Sequence, residues 1–137
     1  MSIIDNLYWY KFRVDRCIDG DTIVGKLDKG KKNFDEDIQI RLNSINCPEI
    51  SKAKTPEEKA AGEEAKAFVE SLILGKEVVV HTYKQKDDDN FARMLADVYI
   101  VGDGVTEDIY LNKLIVEQGH AVPYRVRKED DRWTLAQ

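Results

Sequence analysis

At 137 residues, with 42% of them apolar, the chain is long enough to bury one core without disulfide or metal staples. Its 21 basic and 26 acidic residues leave a net charge of -5, which excludes a protein coated in positive charge and confines any phosphate contact to a local basic pocket. No apolar stretch approaches the roughly 20 residues of a membrane span, and Met1 to Tyr10 lacks the pattern of a secretory leader, so a cytoplasmic monomer with no membrane partner is expected.

Tyr8, Tyr10, Phe12 and Val14 alternate with Trp9, Lys11 and Arg13, the period of a half-buried strand. Asp19-Gly20-Asp21 supplies a turn, and Thr22 to Leu27 resumes as a second strand. Asp28 to Asp37, rich in Lys, Gly, Asn and Asp, reads as an exposed loop. Ile38, Ile40 and Leu42 then alternate with Gln39, Arg41 and Asn43, so a third strand buries one face and presents Arg41 on the other. Pro48 cannot donate to a ladder, and Asn46 to Ile50 should leave the sheet as a shaped loop.

Thr55-Pro56-Glu57-Glu58 combines a capping threonine, a proline at the first helical position and a glutamate three residues after the cap. The helix it starts should run to Leu74, packing Ala61, Ala65, Phe68 and Leu72, with Val69 and Ile73 widening the stripe and Gly75 ending it. Val78 to Val80 and Leu95 to Ile100 read as two further strands, separated by the polar run Lys84 to Asn90. Leu111, Leu114, Ile115 and Gln118 suggest a shorter second helix closed by Gly119, after which Ala121 to Tyr124 is extended or irregular.

Five strands with a helix after the third predict an α+β chain, one domain over residues 1–137 built on an OB-fold five-stranded β-barrel. Cys17 and Cys47 are too widely spaced for a redox or zinc half-site, and two packed free thiols are expected. His81 and His120 are too isolated to form a ligand pair.

Four fragments carry the chemistry: Ile18-Asp19-Gly20-Asp21-Thr22, Ile40-Arg41-Leu42, Asn46-Cys47-Pro48-Glu49 and Phe91-Ala92-Arg93-Met94-Leu95. Each alone is a common turn, strand or loop. In this order, with eight residues from Arg41 to Glu49 and 44 from Glu49 to Arg93, they resemble the staphylococcal (micrococcal) nuclease family over roughly Val14 to Tyr124.

The resemblance implies a calcium-dependent nuclease that hydrolyses phosphodiester bonds in single-stranded or opened DNA or RNA and leaves 3′-phosphate ends. It makes calcium (Ca2+) the cofactor, held by Asp21, the Cys47 carbonyl and the side-chain oxygen of Asn46, a hard-oxygen set suited to that ion. Glu49 is then the water-activating carboxylate, and Arg41 and Arg93 grip the phosphate with planar guanidinium groups. Phe91 and Tyr124 are candidates for stacking a base.

The chain departs from the family pattern at Asn46, where an aspartate is usual, and at Asn90 and Phe91, which replace a lysine and a tyrosine. The alternative is a catalytically weak module of the same fold that binds nucleic acid or protein. Glu49 retained together with both arginines favours catalysis, because binding alone requires no water-activating carboxylate.

Overall fold

The computed structural model describes residues 7–83 and 93–124. In chain order the elements are β1 (Trp9–Asp19), β2 (Thr22–Asp28), β3 (Phe34–Leu42), β4 (Ile45–Asn46), α1 (Pro56–Ile73), β5 (Glu77–Thr82), β6 (Arg93–Ile100), β7 (Ile109–Tyr110), α2 (Leu111–Glu117) and β8 (Val122–Pro123). The run Lys84 to Asn90, and Phe91 with it, lies outside the described residues.

The main sheet has the order β3-β2-β1-β5-β6-β7, and a parallel pairing of β3 with β6 closes its first five strands into a barrel. Closure leaves those five strands no long free edge, the usual reason for this architecture. The expected OB-type α+β barrel with two helices is therefore the fold. Phe12, Val14, Ile23, Ile40, Leu42, Val80, Ala96 and Val98 fill its interior, joined by Ala65, Val69 and Ile73 of α1 and by Leu111 and Ile115 of α2.

The capping signal at Thr55 is realised: its hydroxyl accepts the Glu58 amide at 3.1 Å, and Gly75, at φ +73°, follows the last turn. The Glu58 carboxylate reaches back to the Lys54 amide at 3.3 Å, one residue before the cap. On the buried stripe Ala65, Val69 and Ile73 are fully covered, whereas Ala61, Phe68 and Leu72 lie at its half-buried margin.

Asp28 to Asp37 is not a loop throughout. β2 continues to Asp28 and β3 already begins at Phe34, with Leu27 opposite Asp35 and Asp28 opposite Phe34. Both faces of this outer stretch are largely exposed, so its residues carry no apolar alternation and its backbone pairing leaves no mark in the sequence.

Candidate active site

Asp21 lies in the Gly20–Asp21 turn between β1 and β2, and its carboxylate is almost fully buried. Oδ1 accepts the Thr22 hydroxyl at 3.0 Å and Oδ2 accepts the Cys47 amide at 2.9 Å. Arg41 Nη1 lies 3.1 Å from the same Oδ2, and Arg41 Nη2 donates to the Ile45 carbonyl at 3.1 Å. One carboxylate thus ties the β1–β2 turn, the β3 strand and the start of the Cys47–Glu49 loop together.

Two glycines make this approach possible. A Cβ at Gly20 would sit 2.9 Å from both Ala65 Cβ and Cys47 Sγ, so the turn can press against α1 and the loop only without a side chain. Gly20 does not have a positive φ, so close packing, rather than backbone freedom, requires it. At Gly62 a Cβ would stand 2.8 Å from the carbonyl oxygens of Pro48 and Glu49, so this helical glycine lets α1 carry the loop that presents Glu49. Sequence reasoning missed Gly62, although a glycine inside a well-capped helix gives up about 1 kcal/mol relative to alanine and asks for a packing reason.

Glu49 itself is exposed, as is Asn46, while the Cys47 thiol is buried and pushed up to about 12, chiefly by burial and further by Asp21. Asp19 is also raised above its ordinary value. Burial is the main cause, with Asp21 and Glu49 adding to it and Lys66 and Arg41 opposing it. Asp19 thus sits within reach of Asp21 and Glu49, with Arg41 and Lys66 as the local cations.

Arg93 enters from the barrel closure. In the parallel β3–β6 register Gln39 faces Arg93 and Arg41 faces Leu95. Paired residues and their second neighbours share a sheet face, so Arg41 and Arg93 project from the same side, roughly 8 Å apart at Cα by strand geometry. Tyr124 is drawn in as well: its amide donates to the Ser44 carbonyl at 2.7 Å, and its half-exposed ring lies 5.9 Å from the Arg41 guanidinium carbon. Of the expected site residues, Asp21 and Arg41 are in direct contact, with the Cys47 amide rather than its carbonyl bonded to Asp21; Tyr124 lies over Arg41, and Arg93 shares the sheet face of Arg41. Phe91 falls outside the described residues.

Among the described residues no three His, Cys, Asp or Glu side chains form a ready-made metal cage. The donors suited to calcium are instead mixed: the Asp21 carboxylate, with one lone pair of Oδ1 still open beyond the Thr22 bond, the Asn46 amide oxygen and the Cys47 carbonyl. All are hard oxygens, the donor chemistry that calcium takes. A cleft of about 320 Å³ opens beside Asn46, bounded by Cys47, Pro48, Glu58 and the Gly119–Val122 segment, and its lining does not include Asp21, Arg41 or Arg93. His120 stacks on Phe68 with ring centroids 4.8 Å apart and His81 stacks on Trp9 at 4.1 Å, so both serve packing.

The closed five-stranded barrel with two helices puts the chain in the OB-type α+β class of proteins. The family model for staphylococcal nuclease homologues matches residues 39–136, and the chain belongs to that family. It is 31% identical over 112 residues to an uncharacterized protein of Bacillus anthracis, covering 82% of this chain and 46% of that protein. It is 30% identical over 89 residues to a thermonuclease of Staphylococcus hyicus, covering 65% of this chain and 48% of that enzyme. The chain thus spans about half the length of the curated relatives it matches.

Proposed function

We propose that this chain is a calcium-dependent nuclease that hydrolyses phosphodiester bonds of single-stranded or locally opened DNA or RNA and leaves 3′-phosphate ends. The observation that carries the reading is the buried Asp21–Arg41 pair, set beside the loop that bears Glu49 and on the sheet face that bears Arg93. Asp21, the Asn46 amide oxygen and the Cys47 carbonyl would hold the calcium ion, which when bound supplies a Lewis acid for a phosphoryl oxygen.

The chain's own residues do the rest. Glu49, exposed on its loop, orients a water molecule in line and accepts its proton as the oxygen attacks phosphorus. Arg41 spends two of its five N–H donors on Asp21 and Ile45 and keeps three for phosphate oxygens. Arg93 adds a second guanidinium where negative charge accumulates. The bond to the 5′ oxygen breaks, solvent protonates that oxygen, and the phosphate stays on the 3′ side. Removing one such phosphate-stabilising donor costs about 3 to 4 kcal/mol of barrier. Tyr124, half exposed beside Arg41, offers a face to a base.

The alternative, a weak binding module of the same fold, draws on two facts: Asn46 brings no charge, and Arg41 is engaged with the carboxylate that would bind metal. Incubating single-stranded DNA with the protein, in calcium or in chelator, separates the two readings. The expected outcome is cutting in calcium alone, with 3′-phosphate ends, and a Glu49→Gln variant slower by about two decades or more. A folded wild-type protein that leaves DNA intact at millimolar calcium replaces the enzyme with the binding module.

A further inference from the structure

The outer end of the β2–β3 hairpin carries a feature the cleavage site does not use. Asn33 donates its amide to the Gly30 carbonyl at 2.9 Å across a turn whose two central residues are Lys31 at φ 53° and Lys32 at φ 61°. This is the left-handed pair of a type I′ turn, where Asn-Gly fits best and two long side chains are strained. Neither lysine is among the ion pairs of the described residues, and both are exposed.

The hairpin's other charges are already engaged or lie further back. Lys29 pairs with Asp35 at 3.0 Å, Lys26 lies over the exposed Phe34 ring at 4.7 Å, and Asp28 accepts the Gly30 amide at 2.9 Å. Glu36 and Asp37 sit on β3, behind the tip. In a chain of net charge -5, two adjacent cations are thus placed at the end of a stiff ribbon, at positions that work against the stability of the turn.

We propose that Lys31 and Lys32 form a second nucleic-acid contact, gripping backbone phosphates of the substrate strand away from the bond that is cut. The proposal rests on the nuclease reading and extends it. β2 leads from Lys31 back to Thr22 and β3 from Lys32 on to Arg41, nine residues in each case, a reach of about 30 Å at about 3.3 Å per residue. At about 3.4 Å per stacked nucleotide the tip meets the strand about nine nucleotides from Arg41.

The test compares the wild type with a Lys31→Asn, Lys32→Gly double variant, reading binding of a single-stranded oligonucleotide of about twenty residues in chelator across a salt series. The plot of log affinity against log salt should be shallower by about 1.4, about 0.7 for each lost contact, with affinity on the order of tenfold lower at about 0.1 M salt. The melting temperature should rise, because Asn-Gly suits the turn. Trinucleotides, too short to span the distance, should be bound and cut equally by both proteins. An unchanged salt slope, a wild type that binds no oligonucleotide, or a lysine dependence seen only with anionic vesicles overturns the proposal. Cleavage of trinucleotides in calcium reports separately on the nuclease reading: a variant with an unchanged slope that still cuts them sinks the tip alone, and a wild type that grips but never cuts sinks the enzyme alone.

Discussion

Asn46 occupies an exposed position between a buried isoleucine and a buried cysteine, so its side chain can change without disturbing the core. On the proposed ligand set it supplies an oxygen and no charge, and calcium sites gain affinity as carboxylates are added. Asn46→Asp should tighten calcium binding on the order of tenfold in a calorimetric titration, with stability in chelator nearly unchanged. Equal affinity in the two proteins would remove residue 46 from the ligand set. Gly20 and Gly62 are the opposite kind of position. They touch no substrate, yet an alanine at either would push the turn or the loop away from α1, and Asp21 or Glu49 with it.

The helix α1 is the element on which that placement depends, and its start rests on one side-chain oxygen. Thr55→Ala removes the acceptor of the Glu58 amide and should lower the free energy of unfolding by about 1 kcal/mol in urea titrations, leaving the fold intact. A change below about 0.3 kcal/mol would mean that solvent takes over the cap. This cap was legible in the sequence because it is a local event spelled in four consecutive residues. The alternation in β1 and around Ile40 was legible for the same reason, since one face of each strand is buried. The outer end of β3 was not, because Phe34 to Asp37 are largely exposed and ladder hydrogen bonds involve only backbone. The site was half legible. Motif order brought Asp21, Arg41, Glu49 and Arg93 to notice, but the ion pair between Asp21 and Arg41, the bond from the Cys47 amide and the packing at Gly62 depend on contacts between elements that no local pattern encodes.

At the scale of the whole molecule, the buried thiol of Cys17 makes stability sensitive to alkali. Burial is the main reason it is raised from 9.0 to about 11, with Glu70 adding and Lys66 opposing. Below about pH 9 both folded and unfolded chains keep the proton and the thiol is neutral to stability. Between about 9 and about 11 the unfolded chain loses that proton while the folded one retains it, so the folded state binds more protons and stability falls as pH rises. Urea midpoints measured from pH 8 upward should decline across that window, and Cys17→Ala should flatten the decline; an unaltered slope would assign it to other groups, such as the buried Tyr110 hydroxyl, raised by burial and by Asp97.

The closing pair of the barrel has a consequence for the protein while it is being made. Residues 39–42 of β3 find their parallel partners only at 93–96, so the last wall of the barrel waits for a segment synthesised more than fifty residues later. Ring closure over so long a loop is slow compared with hairpin formation. On the proposed roles, Arg41 and Arg93 can share one phosphate only after that closure. On those roles, a nascent chain that has emerged only as far as α1 has one of the two guanidinium groups and not the other, so the proposed phosphate grip is completed only when β6 has been made and docked.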